Sequence, residues 1–294
     1  MDTLILSGFG TNCERETRYA CEQAGADYGA GAVEVRHIGE IYTSGLDLER
    51  YGFLILIGGF LDGDDLGAGR ACANRFRYRL LPDHMGGGTF LQALQRFIAA
   101  GRLVLGVCNG FQVLVKLGLL PALRELDNGA AATGSSSPSQ LALAQQVTLT
   151  TNARGRFEDR WVHLRGDSAS PCVFTRGINF LELPVRHGEG RLLAAEPQHL
   201  AMLVERHLAP LRYCLPEGSP TEDYPANPNG SPLGIAALCN PTGTVMGLMP
   251  HPEAFNHYTN HPRWMRQRAR QQQGDGLRLF RNAYAYLSVS AYTD

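Results

Sequence analysis

The sequence predicts an α/β fold: a twisted, mostly parallel sheet with helices on both faces and a site at the carboxyl ends of its strands. Three observations carry that expectation. Short apolar runs at 4–6, 33–38, 53–57 and 103–107 alternate with helix-length stretches at 14–24, 90–100 and 111–120. The runs FLILI at 53–57 and LVLGV at 103–107 show no polar alternation, as strands covered on both faces require. Glycines punctuate the run ends, at Gly8 and Gly10, at Gly58 and Gly59, and at Gly106 and Gly110, where a strand turns tightly toward the next element.

At 294 residues the chain can bury a full core, and it reads as a single domain over 1–294, with a surface-loop insertion at about 128–145 and a helical C-terminal tail at about 256–294. A net charge of −1 gives no electrostatic footprint for nucleic acid or for an anionic membrane. The seven cysteines show no C-x-x-C spacing, so neither a zinc site nor a disulfide framework is expected, and a reducing cytoplasm fits best. The start, MDTLILSGFG, has no basic region ahead of its apolar run, so neither a signal peptide nor a membrane span is expected. Lys116 is the only lysine, so no G-x-x-x-x-G-K-[ST] phosphate loop can be written.

In chain order, the strand at 4–6 leads into Gly8–Cys13, and 14–24 reads as an amphipathic helix ended by Gly25. Strands follow at 33–38 and 53–57. Asp62, Asp64 and Asp65 lack the spacing of a calcium loop and read as the capped start of a helix. Met85 to Gly88 is a glycine-rich hinge before the helix at 90–100. After Pro121, the small polar stretch at 128–139 is a surface loop, and α/β patterning is expected to resume at 146–150. The runs 235–238 and 244–249, joined by Asn240-Pro241-Thr242-Gly243, form an antiparallel pair that ends at His251. In the tail, a basic, Gln-rich stretch at 263–273 precedes an amphipathic one at 276–286. His257 and His261 are four apart, but Pro262 and the lack of a third ligand argue against a metal.

The chemistry concentrates at Cys108. It sits between a buried strand and a helix, bracketed by Gly106 and Gly110, in the cysteine counterpart of the G-x-S-x-G nucleophile elbow. A helix that starts at the sulfur places unpaired N–H groups where they stabilise a thiolate. A buried cysteine is more often an inert small hydrophobe, and the paired glycines tip the balance toward a nucleophile. Far downstream, His251-Pro252-Glu253 follows a strand-like run and offers a base with a carboxylate to fix its tautomer. Alone, His-x-Glu at a strand end is more often an ordinary loop. Cys13 is the rival nucleophile, but no glycine pair brackets it at a strand-to-helix junction.

Gly106-Val107-Cys108-Asn109-Gly110-Phe111-Gln112 together with His251-Pro252-Glu253 resembles the class I (triad) glutamine amidotransferases, whose fold is flavodoxin-like. Asn109 and Met249-Pro250 look specifically like the PurQ family, the glutaminase component of phosphoribosylformylglycinamidine synthase. The G-x-N-C-E turn at 10–14, the Gly58-Gly59-Phe60 segment, Arg156-Phe157-Glu158 and His187-Gly188-Glu189-Gly190-Arg191 extend the likeness over nearly the whole chain. The resemblance implies Cys108 as nucleophile, His251 as acid and base, and Glu253 as its orienter. It implies an oxyanion hole from the N–H groups of Gly59 and Asn109, and a substrate pocket from Gln112, Gly58, His187, Gly188 and Glu189. For 187–189, a turn bearing surface charges accounts for the residues equally well.

The resemblance further implies glutamine hydrolysis through a cysteine thioester. The ammonia would serve conversion of formylglycinamide ribonucleotide to formylglycinamidine ribonucleotide in purine biosynthesis. No cofactor is implied in this chain; ATP and Mg belong to a PurL-like synthetase partner, and the resemblance allows a small PurS-like bridging subunit as well. Two other readings stay open: a stand-alone cysteine hydrolase or chaperone-like protein of the same fold, and a non-catalytic regulatory subunit.

Overall fold

The computed structural model describes residues 1–43, 46–61, 67–82, 87–123, 145–266 and 273–290. Asp62, Asp64, Asp65, Met85, Gly86 and the loop at 128–144 lie outside these, as does most of the basic stretch at 263–273.

The first half of the chain alternates strand and helix: β1 (Asp2–Ser7), α1 (Glu14–Gly25), β2 (Val33–His37), β3 (Tyr51–Leu56), α2 (Arg70–Tyr78), α3 (Phe90–Ala99), β4 (Leu103–Val107) and α4 (Asn109–Lys116). A strand-rich part follows: β5 (Val147–Thr150), β6 (Glu158–Gly166), β7 (Phe180–His187), β8 (Arg191–Ala194), α5 (Pro197–Glu205), β9 (Leu211–Cys214), β10 (Ala237–Cys239) and β11 (Val245–Leu248). The helix α6 (Leu277–Ser290) closes the described chain.

The central sheet has the order β10-β11-β4-β3-β1-β2. All its pairings are parallel except β10 with β11, the hairpin read from Asn240 to Gly243. Every residue of β3 and of β4 is buried, which is why these runs lack polar alternation. The order doubles back between β1 and β3, so the loops after these two strands part there and leave a crevice at their carboxyl ends.

Three expectations are corrected. The helix placed at 111–120 is Asn109–Lys116: Gly118 adopts φ 77° and stops it, and Leu117, Leu119 and Leu120 are buried without continuing it. Helix α1 runs through Gly25 into a 3-10 turn, and Gly29 at φ 61° supplies the left-handed stop. Helix α2 starts from Gly69, and the capped start expected at Asp62, Asp64 and Asp65 lies outside the described residues. A strand does form at 147–150, but it does not continue the parallel α/β pattern. Instead, β5 pairs antiparallel with β8, and β7-β6-β9 form a third, antiparallel sheet.

The tail is less helical than expected. Residues 256–266 form turns, and Leu277–Ser290 packs against α1 as part of the core, with Tyr284 Oη 2.8 Å from Thr3 Oγ1 on β1. Among the described residues no helix is long and apolar enough to cross a membrane.

Candidate active site

Strand β4 ends at Val107, and the chain turns at Cys108 with φ 50° and ψ −104° directly into α4. A non-glycine residue held at such dihedrals stores on the order of 1–3 kcal/mol and persists only where its surroundings fix it. Two bare backbones do so here. A Cβ on Gly110 would lie 1.9 Å from the Leu56 carbonyl oxygen, and one on Gly106 would lie 2.7 Å from the Gly110 oxygen. The glycine pair thus lets α4 press onto β3 and β4, as the elbow pattern requires. The Cys108 N–H donates to Leu248 O at 2.8 Å, which ties the corner to β11.

The register Val107↔Leu248 brings the end of β11 alongside, and His251 follows two residues after Met249. The His251 N–H donates to Pro184 O on β7 at 2.8 Å. Its Nδ1 lies 2.6 Å from Glu253 Oε1, with both side chains buried. A carboxylate at that distance fixes the proton on Nδ1 and turns Nε2 outward as an acceptor. Among the described residues, no group hydrogen-bonds Nε2. Burial opposes the charged ring, yet the Glu253 carboxylate and the nearby Cys108 sulfur outweigh it, so the His251 pKa is raised well above its ordinary value.

Cys108 and His251 open on one cavity of about 460 Å³. Gly59, Gln112, His187, Gly188 and Glu189 line it too. Gly58 lies behind, against His251, and Glu253 and Asn109 are buried beneath. Gly59 is at φ 131°, and a Cβ there would lie 2.4 Å from Gly10 O, so only glycine lets this turn pack on the loop after β1. Asn109 is the first residue of α4, where helix N–H groups have no intrahelical partner. The Gln112 amide accepts from Asn109 Nδ2 at 3.0 Å and donates to Glu189 O, so it clamps the 187–190 loop to α4 while facing the cavity. Glu189 Oε2 in turn accepts the Ala68 N–H at 3.1 Å.

Several residues of the site went unrecognised in the sequence, while Cys13, the rival nucleophile, reaches it from the N-cap position of α1, with its sulfur 3.9 Å from His251 Nδ1 and 3.2 Å from Asn12 Oδ1. Burial pushes its thiol pKa up. Asp159 and Arg186, directly opposite on β6 and β7, both line the cavity, as do Arg156 and the half-exposed rings of Phe60 and Phe157. Period-2 alternation through 158–166 was the readable signal for β6. Asn152, which holds His187, carries no such signal. His257 and His261 flank the 3-10 turn Tyr258–Asn260, and His261 Nε2 is 3.1 Å from Glu182 Oε2.

Residues 1–287 match the model of the CobB/CobQ-like glutamine amidotransferase domain. The chain is 40% identical over 281 residues to the phosphoribosylformylglycinamidine synthase subunit PurQ of Dehalococcoides mccartyi, covering 96% of this chain and 95% of that one. It is 35% identical over 295 residues to the PurQ subunit of Methanococcus maripaludis, covering 97% of each. Among solved structures, a chain of PurLQS from Thermotoga maritima superposes with a TM-score of 0.63 at 23% identity, covering 97% of this chain and 98% of that one. On these matches the chain belongs to the glutamine amidotransferase family and, within it, to the PurQ subunits of phosphoribosylformylglycinamidine synthase.

Proposed function

We propose that this cavity hydrolyses glutamine through a γ-glutamyl thioester on Cys108 and hands the ammonia to a synthetase. Membership of the PurQ family makes the chain the glutamine amidotransferase component of phosphoribosylformylglycinamidine synthase, in purine biosynthesis. The observation that carries the mechanism is a strained cysteine and a carboxylate-fixed imidazole opening on one cavity.

His251 Nε2 takes the proton of the Cys108 thiol, and the sulfur attacks the carboxamide carbon. The N–H groups of Gly59 and Asn109 receive the oxyanion. The imidazolium returns its proton to the departing nitrogen, which leaves as ammonia. A water deprotonated by the same nitrogen then cleaves the thioester to glutamate and restores the thiol. Arg156, Arg186 and Asp159 on the wall offer charges complementary to the substrate's α-carboxylate and α-ammonium groups, while Gly58, Gln112, Gly188 and Glu189 shape the pocket.

In this reading the chain works as one domain, in the cytoplasm, with no cofactor of its own. A PurL-like synthetase, with ATP, Mg and a PurS-like subunit, uses the ammonia to make formylglycinamidine ribonucleotide. The test is ammonia release from glutamine by the chain alone and with the synthetase and its ligands. No release under either condition rejects the proposal.

A further inference from the structure

His187 ends β7 at the wall of the cavity, and its ring is buried. Its protonation can be settled from its neighbour. The Asn152 Nδ2 group donates to two backbone carbonyls, Arg156 O at 2.9 Å and His187 O at 2.8 Å. Its Oδ1 accepts the Gly190 N–H at 3.0 Å. Carbonyls cannot donate and an N–H cannot accept, so the orientation of this amide is fixed. His187 Nδ1 lies 3.1 Å from that same Oδ1 and must therefore be the donor. The proton sits on Nδ1, and Nε2 is left as a bare acceptor.

Nε2 is buried, and among the described residues nothing donates to it. Burial first, and then the positive charge of His251, hold the ring's pKa down at about 3, so protonation does not relieve the vacancy near neutral pH. Nor can the ring swing toward another donor. A Cβ on Gly190 would lie 2.7 Å from both Cε1 and Nδ1, so the ring is packed against that backbone. Ser231 secures the backbone from behind, with its hydroxyl donating to Gly190 O at 3.3 Å and accepting the Leu192 N–H at 3.0 Å. A buried acceptor with no donor is costly, and a residue on a cavity wall obtains its donor from what the cavity binds.

We propose that Nε2 of His187 accepts a hydrogen bond from the carboxamide N–H of glutamine, and that this acceptor is what separates glutamine from glutamate at this site. The proposal rests on the glutaminase reading and adds the atom that recognises the scissile amide. Glutamate presents only lone pairs at the same position and cannot pair with a group that only accepts. Rejection by an unpaired buried polar group is the strong form of discrimination between near-isosteres. The Cys108 sulfur lies 3.7 Å from the carbonyl oxygen of Arg186, the residue before His187, so this end of β7 stands at the reacting end of the substrate rather than at its α-ammonium. A ring with a bare Nε2 has no proton to give there, so His251 remains the acid. The same repulsion helps to expel the glutamate product.

Three measurements test this. In the wild-type protein, ring ¹⁵N NMR should show one protonated and one bare nitrogen, unchanged between about pH 5 and 8, where an ordinary histidine titrates. Glutamate γ-methyl ester, which has the carbonyl but no N–H, should show a KM at least about tenfold above that of glutamine. In His187→Leu that gap should close, through loss of glutamine affinity. In His187→Gln the new amide can donate or accept by flipping, so inhibition by glutamate should strengthen about tenfold relative to glutamine binding. A protonated Nε2 in the wild type, equal KM values for ester and amide, or an unchanged glutamine-to-glutamate ratio in His187→Gln would each overturn the proposal. Failure of the wild type to release ammonia from glutamine would instead remove the reading beneath it, and is seen before any variant is made.

Discussion

A methyl group added at Gly58 enters the site between His251, Cys108 and Cys13. An ideal Cβ there lies 3.4 Å from Cys108 Cβ and 3.5 Å from Cys13 Sγ, both ordinary contacts, but only 2.9 Å from His251 Cε1. Gly58 is not among the glycines with positive φ, so Gly58→Ala meets no backbone penalty and its whole effect is steric. Carbon atoms prefer about 3.5–4.0 Å, so the imidazole must retreat by roughly half an ångström. It has little freedom to do so, because Nδ1 is held by Glu253 at 2.6 Å and the backbone N–H by Pro184 at 2.8 Å. The movement becomes a tilt that carries Nε2 away from the Cys108 sulfur.

A misplacement of 1 Å at a reacting group costs on the order of 100-fold, so half of that should lower kcat by about tenfold or more. Overpacking of this kind destabilises by about 1–3 kcal/mol, which leaves a domain of this size folded. The assay is ammonia release from glutamine, with a thermal melt run in parallel. A folded Gly58→Ala variant with wild-type kcat would show that His251 is not the group whose position limits the reaction.

Three other outcomes are expected. Cys108→Ser should abolish ammonia release while Cys13→Ser keeps most of it, and a glutamine-derived electrophile should label Cys108 alone; peptide mapping that found the label on Cys13 would move the nucleophile. Glu253→Gln leaves His251 buried without its counter-charge, and should cost at least about 100-fold in kcat. It should also change the pH dependence of stability. In the wild type the raised His251 pKa gives stability that is fully present below about pH 6.5 and is lost as pH rises through the folded-state pKa, whereas in the variant burial dominates and stability should fall as pH drops below about 6.5. Denaturant titrations at several pH values read this, and parallel curves for the two proteins would contradict the pairing. Finally, glutaminase activity should rise at least about tenfold when the synthetase and its ligands are added, about 1.4 kcal/mol of differential stabilisation; equal rates would mean that the site is complete without a partner.

The parallel core was legible because each of its strands declares itself locally. An unbroken apolar run has nowhere to go but between two layers of helix, and β3 and β4 are of that kind. The length of α4 was not legible, because Leu117, Leu119 and Leu120 are as apolar as the helix before them, and the stop depends on the left-handed Gly118. The second and third sheets escaped for another reason. Strand β5 finds its partner β8 across some forty residues, and β6 pairs with both β7 and β9, so their registers rest on contacts distant in sequence. Asn152 escaped with them, since its role exists only once β7 has brought His187 and Gly190 to it.

The two cysteines show what local pattern can and cannot decide. Glycine bracketing favours Cys108, yet Cys13 reaches the same cavity and touches the same imidazole, so proximity to a histidine does not separate them. Glu253 does. With its oxygen 2.6 Å away, Nδ1 carries a proton directed at a buried carboxylate, and the Cys13 sulfur on that side meets an N–H rather than a lone pair. It cannot lose its proton to that nitrogen, and burial raises its pKa further. The bare Nε2 is the only nitrogen of the ring able to accept, and of the two sulfurs Cys108 acts on the ring more strongly, next after Glu253 among the groups that raise its pKa. The proposal of Cys108 as nucleophile thus rests on a carboxylate two residues from the histidine, which is the physical reason that a His-Pro-Glu element, unremarkable alone, gains weight beside the Cys108 elbow.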